Sequence, residues 1–240
     1  MIQVASKVGS LAAADTVFEL RRYLLKRGQR ETLIALFDAE FVETQEDVGM
    51  SVVGQFRDSG QPDHFVWFRG FADQAVRSAS LPRFYGGPVW AKHGPAANKT
   101  MIDSDDVLML KPAGSESAFA GLPERPTGLF PDARRLILIS THHVPATRAE
   151  DELRQEAARI EDTALAAGAT VLASLISDHS PNGFPRLPVR AEANVVVTVV
   201  RPPEGGSPAV AAALGTIGAG AAATSVEVAE LIPTGRSRLR

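Results

Sequence analysis

Residues 16–49 read TVFELRRYLLKRGQRETLIALFDAEFVETQEDVG, and this stretch decides the fold. From Thr16 to Leu25, apolar side chains alternate with charged or polar ones, which is typical of a β-strand with one face against a core. From Gln29 to Asp47, apolar side chains recur at spacings of three and four, which predicts an amphipathic helix. Gly49 follows where a left-handed residue ends a helix and lets the chain turn into a strand.

The pattern continues beyond this opening and completes one βαββαβ unit. Strands are predicted over residues 50–58 and 64–71, joined by a turn at Gln61-Pro62-Asp63. A helical stretch over residues 72–98 is broken at Gly86-Gly87-Pro88, because two glycines and a proline interrupt helical hydrogen bonding. A fourth strand is predicted over residues 105–111.

The order of elements starts again near residue 134. The span from Phe18 to Gly49 is 31 positions, and the span from Leu136 to Gly168 is 32. A repeat at this period favours two similar units over one large mixed domain. The second unit is predicted to hold strands over residues 136–143, 170–178, 194–200 and 225–232, a helix over 149–167 and a short helix before the last strand.

Four strands with helices on one face leave the other sheet face uncovered, and that apolar face must be buried. The second unit supplies a matching face, and two such sheets can close into a pseudo-symmetric barrel with its helices outside. Pairing of each unit with a partner chain is the competing solution. The sequence leaves both open: a homodimer, or a pseudo-dimer within one chain.

Composition excludes several classes of protein. The chain has 240 residues, 45% of them hydrophobic, so it can bury a sizeable core. Its net charge of −3 and the absence of a basic stripe argue against nucleic-acid binding. It has no cysteine, which excludes disulfides and thiolate chemistry. Its longest apolar runs are too short to span a membrane, so a soluble cytoplasmic protein is expected.

The first unit contains a set of short motifs: FELRRY at 18–23, KRG at 26–28, Val48-Gly49, GQF at 54–56, FVWFRGF at 65–71, Arg77 and Trp90. In these motifs it resembles the NIPSNAP family over about residues 16–113. This resemblance implies a ferredoxin-like fold assembled as a dimeric α/β barrel. The second unit departs from the family pattern: its first strand has no Glu-x-Arg-x-Tyr, and its third strand is a run of valines.

Pattern and resemblance together predict an α+β fold of two tandem ferredoxin-like βαββαβ repeats that form a dimeric α/β-barrel-type assembly. The predicted organisation is a flexible N-terminal tail (1–14), a NIPSNAP-like repeat (15–113), a linker (114–131), a degenerate second repeat (132–234) and a C-terminal tail (235–240).

Charged residues on a predicted strand face form the first candidate site. Glu19, Arg21 and Tyr23 share one parity, and Arg69 lies on a strand expected beside them. Opposite charges in a half-buried strand are costly unless they are paired or used. An arginine there could hold a carboxylate or enolate while Tyr23 donates a hydrogen bond. The alternative is a Glu–Arg ion pair that sets register at the barrel interface.

Aromatic residues around the helix break form the second candidate. A kink at that point can open a cleft lined by Trp67, Tyr85 and Trp90. Plain core packing is the alternative for these rings. Arg77 is either an anion anchor beside the cleft or a solvated residue on a helix face. The loop from 180 to 190, with three prolines, is expected to project as a lid or arm.

Two hypotheses for function remain. In the first, the first repeat binds a small apolar or anionic organic molecule, and a cofactor-independent enzyme is one form of this hypothesis. The alternative is a non-catalytic interaction or scaffold protein. No cofactor, metal, nucleic acid or membrane is expected, and the identity of the ligand stays open. The candidate ligand-binding residues are Glu19, Arg21, Tyr23, Trp67, Arg69, Arg77, Tyr85 and Trp90.

Overall fold

A computed structural model describes residues 15–115, 117–125, 136–218 and 220–240. The predicted N-terminal tail (1–14) and residues 126–131 of the predicted linker lie outside the described residues. The fold is mixed α/β, with eight antiparallel strands closed into a barrel and helices outside. No helix within the described ranges is long and apolar enough to cross a membrane.

The opening stretch forms a strand and a three-part helical segment, as its pattern predicts. Strand β1 (Val17–Leu25) precedes α1 (Arg30–Leu36), a π-helical turn (Phe37–Phe41) and α2 (Val42–Glu46). Gly49 follows in the left-handed region, with φ +98°. The first half continues with β2 (Ser51–Asp58), β3 (His64–Phe71), α3 (Gln74–Tyr85), α4 (Pro88–Thr100) and β4 (Met101–Pro112).

Strand β4 begins four residues before the predicted start because its first residues pair with the end of β1. Met101 lies opposite Leu25 and Asp103 opposite Leu24, across irregular register shifts. The second half repeats the element order of the first. It contains β5 (Ile137–His143), α5 (Glu150–Ala166), β6 (Thr170–Ser177), β7 (Val195–Arg201), α6 (Ser207–Leu214) and β8 (Ser225–Pro233).

The strands follow each other around the barrel in the order β1-β3-β2-β8-β5-β7-β6-β4. Each half therefore contributes four neighbouring strands, and within each half the fourth, first, third and second strands lie side by side. The halves meet at two short seams of three residue pairs each, β2 with β8 and β4 with β6. The barrel thus closes within one chain.

Apolar side chains fill the barrel interior. Phe18 and Leu20 of β1 and Val66 and Phe68 of β3 point inward and are buried. Burying each such side chain contributes about 1.5–3 kcal/mol. This core leaves the functional site to be sought between the sheet and its helices.

The outer face of β1 and β3 lies under the helices of the first half. Trp67 and Phe71 pack there with helix residues such as Phe37 and Leu81. The predicted alternation is therefore confirmed: Trp67 and Arg69 point away from the face that carries Val66 and Phe68.

Two segments predicted as connecting or terminal chain contribute to the barrel core. In the described part of the linker, Phe119 places its ring 5.4 Å from that of Phe18 and 5.3 Å from that of Phe68. Its backbone has a φ of +33°, which is unusual for a bulky residue. From the C-terminal residues, Leu239 is buried in the same apolar cluster. Both ends of the second half are thus anchored in the barrel.

Candidate functional site

One buried carboxylate binds three arginines between the sheet and the helices of the first half. Glu19 Oε2 accepts hydrogen bonds from Arg21 Nη1 (2.7 Å) and Arg69 Nη2 (2.5 Å), and its Oε1 accepts from Arg77 Nε (2.8 Å). Glu19, Arg69 and Arg77 are 0% exposed, and Arg21 is 1% exposed. We call these four residues the arginine cluster.

Strand pairing and one helix bring the arginine cluster together. Glu19 and Arg69 lie directly opposite each other in the β1–β3 ladder, and Arg21 follows two positions along the same face. Arg77 reaches the carboxylate from α3, whose first turn is capped by Asp73 accepting from the Val76 backbone at 2.7 Å. The β-strand period therefore places three of the four charges.

The arginine cluster carries three positive charges and one negative charge. Burial raises the pKa of Glu19, but the charges of Arg69, Arg21 and Arg77 lower it by a larger amount. The pKa of Glu19 therefore lies well below the usual range of a glutamate. Burial lowers the pKa of Arg21, but Tyr23 and Glu19 raise it by more, and the guanidinium stays charged. Because the three arginines share one carboxylate, the arginine cluster has an excess of two positive charges.

Neutral groups bind some of the remaining guanidinium nitrogens. Arg69 Nη1 donates to Gln45 Oε1 at 3.1 Å and to the Tyr85 hydroxyl at 3.4 Å. Arg77 Nη1 donates to Asn182 Oδ1 at 3.1 Å, while its buried Nη2 has no hydrogen-bond partner in the part of the chain that the structure describes. For Arg21, the described residues supply acceptors for Nε and Nη1 and none for Nη2.

Tyr23 is held as a hydrogen-bond donor. Its hydroxyl oxygen accepts from Arg21 Nε at 2.9 Å, which leaves the hydroxyl hydrogen free to point elsewhere. Burial raises the pKa of Tyr23 above its ordinary value, so the phenol keeps its proton at neutral pH. The pair presents a cation and a neutral O–H side by side.

A cavity of about 250 Å³ lies beside this pair. It is somewhat smaller than the roughly 300–1,000 Å³ of typical ligand pockets, so only a small molecule fits. Its wall combines β1, the two helices around the break, the start of β4 and the loop between β6 and β7. The lining residues are Arg21, Tyr23, Tyr85, Trp90, Asn98, Met101, Ser104, Asp105, Phe184, Arg186, Leu187 and Pro188.

The loop over residues 180–190 covers the cavity, and it comes from the second half of the chain. The Phe184 ring stacks on that of Tyr85, with centroids 6.0 Å apart and planes inclined by 22°. Asn182 of the same loop accepts the hydrogen bond from Arg77. The predicted projecting loop thus lies over the first half and completes its site.

Five of the eight predicted site residues line one of two adjoining cavities, and three line neither. Four of the five line the cavity of about 250 Å³. The fifth, Trp67, lines a smaller adjoining space of about 20 Å³ together with Tyr23, Tyr85 and Trp90. Glu19, Arg69 and Arg77 are outside the residues that line either space. The four that line the cavity are Arg21, Tyr23, Tyr85 and Trp90.

The interpretation of Arg77 as a solvated arginine is wrong, because its side chain points from α3 toward Glu19 and is fully buried. The Glu–Arg ion pair exists, but under the helices instead of at the barrel interface. The aromatic residues also pack as core: the Trp67 ring lies 4.8 Å from that of Phe37.

Several lining residues escaped the sequence prediction. Asn98 and Met101 lie at the α4–β4 junction, where the sequence has no periodic signal. Phe184 and Arg186 lie in a loop more than a hundred residues from Arg21. The prolines at 181, 185 and 188 indicate a loop of restricted conformation, but they do not predict which part of the protein it contacts.

Among the described residues, no group of three or more His, Cys, Asp or Glu side chains could hold a metal ion. His179 lies near the end of β6, where its ring nitrogens contact the Ala191 carbonyl at 3.3 Å and Asn194 Oδ1 at 3.1 Å.

Comparison with known proteins agrees with the resemblance seen in the first half. Residues 18–116 match the family model described as NIPSNAP. A NIPSNAP family protein of unknown function from Agrobacterium tumefaciens is 22% identical to this chain; the match covers 41% of this chain and 88% of that one, with a TM-score of 0.38. No curated protein matches the chain.

Two solved structures match nearly the whole chain. One, from Lactobacillus acidophilus and described as a candidate monooxygenase, has a TM-score of 0.53 at 9% identity and covers 92% of this chain and 94% of its own. Another candidate monooxygenase, from Fusobacterium nucleatum, has a TM-score of 0.54 at 8% identity and covers 92% and 93%. At this identity the likeness shows the fold alone.

Proposed function

We propose that the first half of this protein binds a small organic anion in the cavity beside Arg21 and Tyr23. The observation that carries the proposal is the charge of the arginine cluster: three buried guanidinium groups share one carboxylate. An anion in the cavity would supply negative charge next to Arg21, the member of the cluster that lines it. Buried charges are retained where they are paired, and a ligand carboxylate can be such a partner.

The rest of the wall defines the shape of that anion. Tyr85, Trp90 and Phe184 present aromatic surface, and Tyr85 and Trp90 have ring centroids 4.7 Å apart. Apolar and aromatic surface with a few fixed polar groups is typical of sites for small organic molecules. A flat carboxylate with an aromatic or short aliphatic body therefore matches both the charge and the volume.

Tyr23 has a defined role in this proposal. Because its oxygen already accepts from Arg21, its hydrogen is available to an oxygen of the ligand. If the bound anion is a substrate, Tyr23 is the group placed to give it a proton without a cofactor. Tyr85, whose hydroxyl accepts from Arg69 at 3.4 Å, is a second group of the same kind.

We further propose that the two halves are ferredoxin-like repeats acting as a pseudo-dimer. Both halves have the element order βαββαβ, and both place their fourth, first, third and second strands side by side. The second half then occupies the place of a second subunit and lends the loop over residues 180–190 to the site of the first. A cytoplasmic location stays part of the same proposal.

Calorimetric titration with matched probes tests the anion site. We expect wild type to bind benzoate about 10–100-fold more tightly than benzamide, because hydrogen bonds to charged groups contribute about 1.5–3 kcal/mol. Arg21→Gln should lose this preference. Arg83→Gln, an exposed arginine on α3, is the matched control and should keep it.

A second pair of probes covers an aliphatic body: hexanoate and hexanamide. Equal binding of acid and amide by wild type, absence of binding by both acids, or an unchanged preference in Arg21→Gln would each contradict the proposal. Tyr23→Phe separates the two residues, since it keeps the guanidinium and removes the hydroxyl donor.

A further inference from the structure

The second half contains a row of buried polar side chains that lack partners. Among the described residues, the hydroxyl oxygens of Ser140, Ser174 and Thr198 have no hydrogen-bond partner, and neither ring nitrogen of His142 has one. All four residues are at most 1% exposed. Buried polar groups are nearly always satisfied, and each one left unpaired costs about 1–3 kcal/mol. Five such atoms in one place offer hydrogen-bonding capacity that a bound molecule could satisfy.

Strand pairing places these side chains in one continuous row. Ser140 of β5 lies directly opposite Thr198 of β7, and Thr198 lies directly opposite Ser174 of β6. Side chains paired in this way have Cβ atoms about 4.5–5.5 Å apart. At that spacing two hydroxyls could bond directly or through one bridging molecule, and in this structure the described residues give none of Ser140, Ser174 and Thr198 a direct bond. His142 follows Ser140 by two positions and lies on the same face.

The row corresponds in position to the site of the first half. Gly49 and Gly168, the left-handed glycines that follow the helix in each half, are 119 positions apart. Arg21 and Ser140 are separated by the same 119 positions. Tyr23 and His142 are also 119 positions apart. Across the ladder, Trp67 occupies the place opposite Arg21 that Thr198 occupies opposite Ser140. The second half therefore has polar groups where the first half has its site.

The charges near the row already have partners. Glu156 of α5 accepts from Arg159 and from the Ala222 backbone at 3.1 Å. Burial lowers the pKa of His142 to about 4, with smaller effects from Glu156, Arg159 and His143, so its ring is neutral at physiological pH. An ion entering here would lose its hydration without gaining an opposite charge.

We propose that the row formed by Ser140, His142, Ser174 and Thr198 is a second binding site, which takes a small uncharged molecule with both hydrogen-bond donors and acceptors. Three hydroxyls and a neutral imidazole each donate and accept, and water, small amides and small alcohols share the matching chemistry. This site is independent of the anion site in the first half.

A crystal structure of wild type, untreated and soaked in acetamide, tests the proposal directly. We expect ordered density bridging at least two of the four side chains in the untreated crystal. Replacement of that density by acetamide would identify a ligand site. Water that stays in place after soaking would identify a hydration site. An empty row in both crystals overturns the proposal.

The Tm of the nearly isosteric variant Thr198→Val gives a second test, because an occupied row and an empty row predict Tm changes of opposite sign. If Thr198 binds an occupant, Thr198→Val should lower the Tm by about 2–4 °C. If the row is empty, removing an unpaired hydroxyl should leave the Tm unchanged or raise it, which contradicts the proposal. Thr170→Val, at an exposed position that begins β6, is the matched control and should show no change. If Thr198→Val does not fold, Ser174→Ala replaces it in the test: a lower Tm supports the proposal, and an unchanged or higher Tm contradicts it.

Discussion

Asn182 binds Arg77 across 105 positions of sequence: Oδ1 of Asn182 accepts from Nη1 of Arg77 at 3.1 Å. The same amide organises its own loop, since Oδ1 also accepts from the Phe184 backbone at 3.1 Å and Nδ2 donates to the Leu187 carbonyl at 2.9 Å. One side chain thus fixes the shape of the loop and ties it to the arginine cluster.

Asn182→Ala should loosen this loop without unfolding the protein. Removing these bonds lowers the free energy of local opening by about 1–2 kcal/mol, so we expect trypsin to cleave after Arg186, an exposed residue of the loop, about 5–30-fold faster. Asn182→Asp keeps the acceptor for Arg77 and should be cleaved more slowly than the alanine variant. Equal cleavage of wild type and Asn182→Ala would show that the bond does not hold the loop.

Glu19→Gln should be strongly destabilising, because three buried guanidinium groups would lose their shared negative charge. Breaking a buried ion pair by removing one partner costs about 3–5 kcal/mol. Glu31→Gln is the surface control: Glu31 pairs with Arg57 at 2.7 Å but is 61% exposed, and its loss should cost under about 1 kcal/mol. Urea unfolding measures both. Equal losses for the two variants would mean that the arginine cluster does not depend on Glu19.

The sequence predicts the arrangement on β1 and β3 well because alternation has a fixed physical meaning. A period of two assigns Phe18 and Phe68 to one face and Arg21 and Trp67 to the other, whatever the rest of the chain does. The ladder then places Arg69 opposite Glu19. Element order and helix-ending glycines predict the two βαββαβ units in the same local way, but closure of the barrel within one chain follows only from the structure.

The parts that sequence reasoning missed depend on contacts between distant segments. Nothing near Asn182 indicates that it meets Arg77, and nothing near Leu239 indicates that it enters the barrel. A helical period also cannot tell a buried arginine such as Arg77 from a solvated one, because its partner lies on another element. Within the valine run of β7, Thr198 gives no sign that its hydroxyl is unpaired.

Leu239→Ala tests whether the C-terminal residues belong to the core. Leu239 is 3% exposed and packs inside the barrel, where its Cβ lies 3.2 Å from the position a Cβ on Gly54 would take. Leucine-to-alanine changes in cores cost about 2–5 kcal/mol. Leu165→Ala, at a position that is 56% exposed, should cost far less. If both variants unfold at the same urea concentration as wild type, the C-terminal residues are not part of the barrel core.

Asp38 is expected to make the free energy of unfolding decrease as the pH rises, the opposite of the usual effect of a carboxylate. Its carboxyl is buried on the π-helical turn, where Gln55 donates to it at 3.1 Å. Burial raises its pKa to about 6, and hydrogen bonds from Gln55 and Thr234 and the charges of Arg236 and Arg57 offset only part of that effect. A folded pKa above the unfolded value means that the native state holds the proton more tightly.

The sign follows from where the proton sits. Below about pH 4 the carboxyl is protonated in both states, and the stability it contributes is fully present. As the pH rises through 6, the folded state must ionise a buried group, and that contribution is lost. The upper limit of the loss is about 3 kcal/mol, since each pKa unit corresponds to 1.36 kcal/mol.

Asp38→Asn cannot ionise, so its stability relative to wild type should rise between pH 4 and pH 7 by about 1–3 kcal/mol. Glu31→Gln is a control of opposite sign. Hydrogen bonding from Arg57 lowers the pKa of Glu31, so Glu31→Gln should lose stability relative to wild type as the pH rises to about 4.5 and should show no further loss above it. Urea unfolding at pH 4, 5, 6 and 7 measures both differences. A difference between Asp38→Asn and wild type that stays constant or falls over this range would show that Asp38 is not held in a desolvated site.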